Sequence, residues 1–93
     1  MKNNLQNPET IIENKLEWNV IQVKMRENFG HDIYESWLKK INFVEEFNNY
    51  ILLSVPTRFI RDWITSRYLD QILQIIKNFK KKIKSTIVQL KDV

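Results

Sequence analysis

The chain has 93 residues, 43% of them hydrophobic, and a formal net charge of +4. That suffices for one small domain and not for two, with a core built on large side chains, here three Trp, three Tyr and five Phe. The lack of cysteine excludes a disulfide framework and thiolate metal sites, and the single glycine excludes a P-loop, a dinucleotide loop and a GXXG clamp.

Residues 1–13 are polar, lack the apolar stretch of a signal peptide, and read as a mobile tail ahead of a folded domain over 14–93. No run is long and apolar enough to span a bilayer, so the expected setting is the cytoplasm, with no membrane partner. Asn14 with Glu17 three residues on matches a capping box and predicts a first helix over 15–28. Trp18, Ile21, Met25 and Phe29 recur along it at helical spacing. Gly30 follows as a left-handed stop. Asp32 and Glu35 repeat the capping-box pattern and open a short helix carrying Ile33, Tyr34, Trp37 and Leu38, which forms an αα corner with the first.

Alternation at Ile41 and Phe43, then at Ile51, Leu53 and Val55, predicts two strands. Asn48-Asn49 supports a hairpin turn between them, because Asn tolerates positive φ. Pro56 ends the second strand and Thr57 is an N-cap for the next helix. At about 100° per residue, Phe59, Ile60, Trp63 and Ile64 cluster on one side of that helix. Tyr68, Leu69, Ile72, Ile75, Ile76 and Phe79 cluster about 150° away. One straight helix cannot bury both stripes in one direction, so either it kinks at 65–67, with Ser66 capping a restarted half, or its halves pack against different layers. Thr86, Val88 and Leu90 alternate in a last strand. The order is ααββα(α)β, an α+β domain with a three-stranded sheet packed with helices.

Charge is uneven along the chain. Up to Pro56 there are six Lys/Arg against eight Asp/Glu, and from Thr57 onward nine against three. Lys77, Lys80, Lys81, Lys82 and Lys84 concentrate the excess. Such a run serves as a solvated helix end favoured by the helix dipole, or it meets phosphates. His31 is the only histidine, no G-x-S-x-G elbow occurs, and no carboxylates pair at a spacing suited to acid–base work. The residues therefore point to a binding module rather than an enzyme, with no catalytic, metal or cofactor site.

Three segments carry a resemblance: W-x2-I-x3-M-x3-F from Trp18, Y-x2-WL ending at Leu38, and the run from Ile51 through VPTRFIRDWI to Tyr68 and Ile72. Together they resemble the N-terminal domain family of DnaA, the bacterial chromosomal replication initiator. The resemblance covers Trp18 to Ile76 and implies a fold similar in shape to KH domains. It implies a protein-interaction module without catalysis or cofactor, which mediates initiator self-association and recruits the replicative DnaB helicase and initiation regulators at the origin. Weak contact with single-stranded DNA is the alternative role, using the basic C-terminal half. ATP binding and origin recognition would belong to later domains, beyond a linker after Val93. Residue by residue, Trp18 resembles the self-association aromatic, its other reading being a core tryptophan. Phe59 resembles the helicase- and regulator-binding aromatic. Thr57 stands where the family often has a regulator-contacting Asn. Ile33 stands where some relatives carry a helicase-contacting acid, with Asp32 and Glu35 flanking it. Arg58 and Arg61 would rim the docking patch, while Trp37, Trp63, Tyr68 and Ile72 are assigned to the core.

Overall fold

The computed structural model describes residues 15–91, so the expected tail over 1–13 and the Asn14 cap lie outside the described residues. The elements are α1 (Trp18–Phe29), α2 (His31–Ser36), a 3-10 turn (Leu38–Lys40), β1 (Asn42–Glu46), β2 (Tyr50–Val55), α3 (Arg58–Arg67), α4 (Leu69–Phe79) and β3 (Ser85–Leu90). This is the α+β order expected. Among the described residues no helix is long and apolar enough to cross a membrane.

The helix starts differ from the capping boxes read in the sequence. Glu17 precedes α1 rather than sitting in its first turn, and its carbonyl accepts the Val20 and Ile21 N–H groups at 3.1 and 3.3 Å. Asp32 likewise lies inside the first turn of α2, where its charge suits the helix dipole, and Gly30 holds the cap position. Gly30 is shared by both helices: its N–H donates to Arg26 O at 2.9 Å and its carbonyl accepts from Tyr34 at 3.1 Å. Its φ of 91° and ψ of 164° lie not in the left-handed helical well but in a region essentially open only to glycine. A one-residue link at that angle creates the αα corner.

β2 is the centre of the sheet, antiparallel to β1 and parallel to β3, in the order β1-β2-β3. The hairpin closes through the Phe47 N–H donating to Tyr50 O at 2.8 Å. The parallel register sets Ile51, Leu53 and Val55 beside Thr86, Val88 and Leu90, so their alternations coincide on one face. The three β2 residues on that face are fully buried, together with Ile21 and Met25 of α1, Ile64 of α3 and Ile72 and Ile76 of α4. Each such aliphatic side chain contributes about 1.5–3 kcal/mol by leaving water.

The long helix does break, at Tyr68 (φ −126°, ψ −13°), just beyond the expected 65–67. Ser66 does not cap the second half; its Oγ donates to Trp63 O at 3.3 Å inside α3. Ile72 sits in the core as assigned. Tyr68 is only half-buried and meets Phe29 edge-on at 5.4 Å. Ile83, an isolated apolar residue among four lysines, is fully buried and ties the segment between α4 and β3 to the core.

A β-bulge at Val44 has the largest electrostatic consequence. Phe43 pairs with Leu53, but Glu45 pairs with Leu52 and Glu46 with Ile51. Without the extra residue Glu46 would face away from the core; with it, Glu46 shares the inner face with Phe43 and Ile51. There its carboxylate forms an ion pair with Lys80, the residue capping α4, and accepts the Leu16 N–H at 2.8 Å. Both charged side chains are nearly enclosed, 14% and 12% exposed. Burial pushes the Glu46 carboxyl up, but the Lys80 and Leu16 hydrogen bonds outweigh it, so its pKa lies below the ordinary 4.5.

Glu46→Gln is expected to lower the unfolding free energy by about 1.5–3 kcal/mol near neutral pH, read by urea denaturation. A carboxyl depressed in the folded state stabilises above its ordinary pKa and loses that increment as pH falls through the folded value. Wild type and variant should therefore converge in acid, and a gap undiminished at about pH 2 would place the effect elsewhere.

Candidate functional site

The start of α3 is set by three residues. Pro56 ends β2, and Thr57 caps the helix, its Oγ1 accepting the Ile60 N–H at 3.2 Å and its carbonyl the Arg61 N–H at 3.0 Å. Ile60 and Ile64, one turn apart, take the centre of the buried face. Phe59 and Trp63 lie one position round from them, in line with each other and with Arg67 at i, i+4 and i+8. Folding leaves Phe59 64% exposed, the most exposed of the large hydrophobic residues described.

Under Phe59 lies a ladder of rings. Trp63 stacks on Trp37 with centroids 4.8 Å apart and planes 18° from parallel, and Phe59 tilts against both, at 5.9 and 5.8 Å. The Arg67 guanidinium caps the ladder, 3.8 Å from the Trp63 ring centre. Trp37 packs its inner side on the core. The assignment of Trp37 and Trp63 to the core holds in part: both are half-buried and form the base on which Phe59 stands, and of the two only Trp37 packs against the core cluster. Ile60 and Ile64 already fill the inward positions, which leaves the indoles on the flank. Trp63 Nε1 is shielded and meets no acceptor among the described residues, as is also true of Trp18 Nε1. The signal that could have found this site is the i, i+4 repeat of Phe59, Trp63 and Arg67.

The other expected residues sit as follows. Arg58 is exposed and makes no ion pair among the described residues, whereas Arg61 lies on the far flank of α3 and pairs with Asp62 at 3.4 Å. Ile33 is half-buried against the core, one turn before Trp37, whose N–H donates to the Ile33 carbonyl at 2.9 Å. Asp32 is exposed. Glu35 is held by Lys39 at 3.2 Å and Arg26 at 3.8 Å, and the Lys39 hydrogen bond leads in lowering its pKa. Trp18 is half-buried against Phe43, ring centres 5.7 Å apart, and touches none of the ladder rings. Of the lysines, Lys80 is committed to Glu46 and Lys77 is half-buried, while Lys81, Lys82 and Lys84 are exposed.

The profile of the DnaA N-terminal domain family matches residues 17–78. The chain belongs to this family. It is 39% identical over 83 residues to the chromosomal replication initiator protein DnaA of Wolbachia sp. subsp. Brugia malayi (strain TRS), covering 89% of this chain and 18% of that protein. It is 36% identical over 76 residues to the DnaA proteins of Rickettsia canadensis and Rickettsia massiliae, covering 82% of this chain and 16% of each. The chain thus spans less than a fifth of the length of these curated relatives. The family match contains Trp18, Trp37 and all of α3, and it stops before Lys80 and β3.

If the ladder is one energetic unit, Trp37→Ala and Trp63→Ala should couple by about 0.5–1.5 kcal/mol in a double-mutant cycle of unfolding. Phe59→Ala should shift stability by less than about 1 kcal/mol, since most of the ring is already in water. Strict additivity of the two Trp changes would show the rings to be independent.

Proposed function

We propose that this DnaA domain is the protein-interaction module of its initiator, without a reaction or cofactor of its own. It captures the replicative DnaB helicase and initiation regulators through the start of α3, and it self-associates through the Trp18 end of α1. The observation that carries the reading is Phe59: a 64% exposed ring, rigidly seated on two stacked indoles, that the core does not use. Aromatic and arginine anchors of this kind dominate protein interfaces, and pre-seated rings lose little entropy on docking. Thr57 and Arg58 border Phe59 directly, and α2 with Asp32, Ile33 and Glu35 leads into Trp37. Trp18 itself is half-buried at the start of α1, its ring against Phe43.

Phe59→Ala is expected to abolish capture of the cognate replicative helicase in a pull-down while leaving the circular dichroism spectrum unchanged. Trp18→Ala should reduce self-association and spare helicase capture. A folded Phe59 variant with undiminished capture would overturn the reading.

A second reading, weak single-stranded DNA binding, draws on the exposed Lys81, Lys82 and Lys84 beside Phe79, itself 48% exposed. Aromatic rings next to cations suit a single strand. Oligothymidylate binding should then weaken steeply with salt and disappear when these three lysines are neutralised, as fluorescence anisotropy would report. Salt-independent binding would dismiss it.

A further inference from the structure

Resting on the reading of Trp18 as the self-association residue, we propose that Glu46 is the positioning residue for that tryptophan. Trp18 is the first residue of α1, so its ring goes where the chain enters the helix. Among the described residues, no side chain near in sequence fixes that entry. Glu17 stands at the cap position without a side-chain hydrogen bond, and the first turn carries no acidic residue. A helix start secured only by its own backbone frays readily. The hold comes instead from β1, 30 positions along the chain. Glu46 Oε1 accepts the Leu16 N–H at 2.8 Å, just ahead of Trp18.

Strand β1 therefore meets this entry at two points. Phe43 seats the indole, ring centres 5.7 Å apart, and Glu46 holds the backbone leading into it. The bulge at Val44 brings both onto one face of the strand, where a regular strand would turn Glu46 away. Lys80 takes the other carboxylate oxygen, Oε2, which leaves Oε1 for the N-terminal chain. The Leu16 side chain, half-buried, adds its own packing against the core. A ring ordered before association loses less entropy on meeting a second copy. Without the Glu46 acceptor, the chain at Leu16 and Trp18 must be ordered at that moment. Self-association should then weaken about tenfold, the equivalent of fixing the backbone of one residue.

Two double variants separate this positioning from plain stability, because both lack the ion pair. Glu46→Gln, Lys80→Met keeps an oxygen for the Leu16 N–H, whereas Glu46→Leu, Lys80→Met has none. Replacing an enclosed ion pair by apolar side chains is often neutral or stabilising, so the leucine form should remain folded. If it does not, Glu46→Ala, Lys80→Met takes its place. Urea denaturation reads stability, sedimentation equilibrium reads self-association, and magnetic resonance follows the three indole N–H signals. The glutamine form should self-associate close to wild type and the leucine form about tenfold more weakly, whatever their rank in stability. The Trp18 indole signal should move in the leucine form, with those of Trp37 and Trp63 in place. Equal weakening in the two forms, or none in either, overturns the positioning role. So does a weakened leucine form whose Trp18 signal has not moved. In each of these cases a Trp18→Ala chain that still self-associates poorly keeps the reading on which the proposal rests. A Trp18→Ala chain that self-associates like wild type, or a wild-type chain that does not self-associate, overturns both.

Discussion

The parallel pairing of β2 with β3 is the constraint from which the rest of the fold follows. Parallel neighbours cannot be joined by a hairpin, so the chain leaving Val55 must return across the sheet to start again at Ser85. A single straight helix from Arg58 to Phe79 would run about 33 Å, while β2 itself spans about 20 Å. A rod of that length overshoots the sheet. The break at Tyr68 divides it into two helices of about 15 and 16 Å, each matched to the sheet it covers. Both halves can then turn their isoleucines inward, Ile60 and Ile64 on one, Ile72 and Ile76 on the other.

That solution frees one flank of α3. A helix of ten residues that buries only two isoleucines has room for a second row of side chains, and here the row is aromatic. Trp37 arrives from the α2 corner, which depends on the one-residue turn at Gly30, and supplies the surface on which Trp63 and Phe59 rest. The candidate site is thus a by-product of how the crossover is packed, built where two helix ends meet. Its rigidity comes from stacking, its exposure from the prior claim of the isoleucines on the interior.

A second tie secures the opposite end of the molecule. The Val44 bulge turns Glu46 inward and Lys80 reaches it from the end of α4, so β1, α4 and the chain entering α1 are joined at one ion pair. Next to it Ile83 anchors the lysine-rich segment. A basic run that looks uniformly solvated in sequence is therefore partly structural: Lys80 serves the fold, and Lys81, Lys82 and Lys84 face water.

The sequence by itself determined the element types and their order, because helical spacing in α1, alternation in β2 and β3, and the Pro56–Thr57 punctuation are local signals. It also carried the family, through residues clustered around Trp18, Trp37 and α3. Local pattern also marked the long helix as anomalous, since its two apolar stripes point different ways, and left a kink and a split between two layers as the two solutions. What only the tertiary structure decided were the relations between distant residues. The register of β3 against β2, the inward turn of Glu46 and its pairing with Lys80, and the burial of Ile83 each depend on partners tens of residues away. The partial burial of Trp37 and Trp63 on the flank belongs with them. Helical periodicity places a residue on a side of its own helix, but only the neighbouring elements determine whether that side is filled or left to solvent.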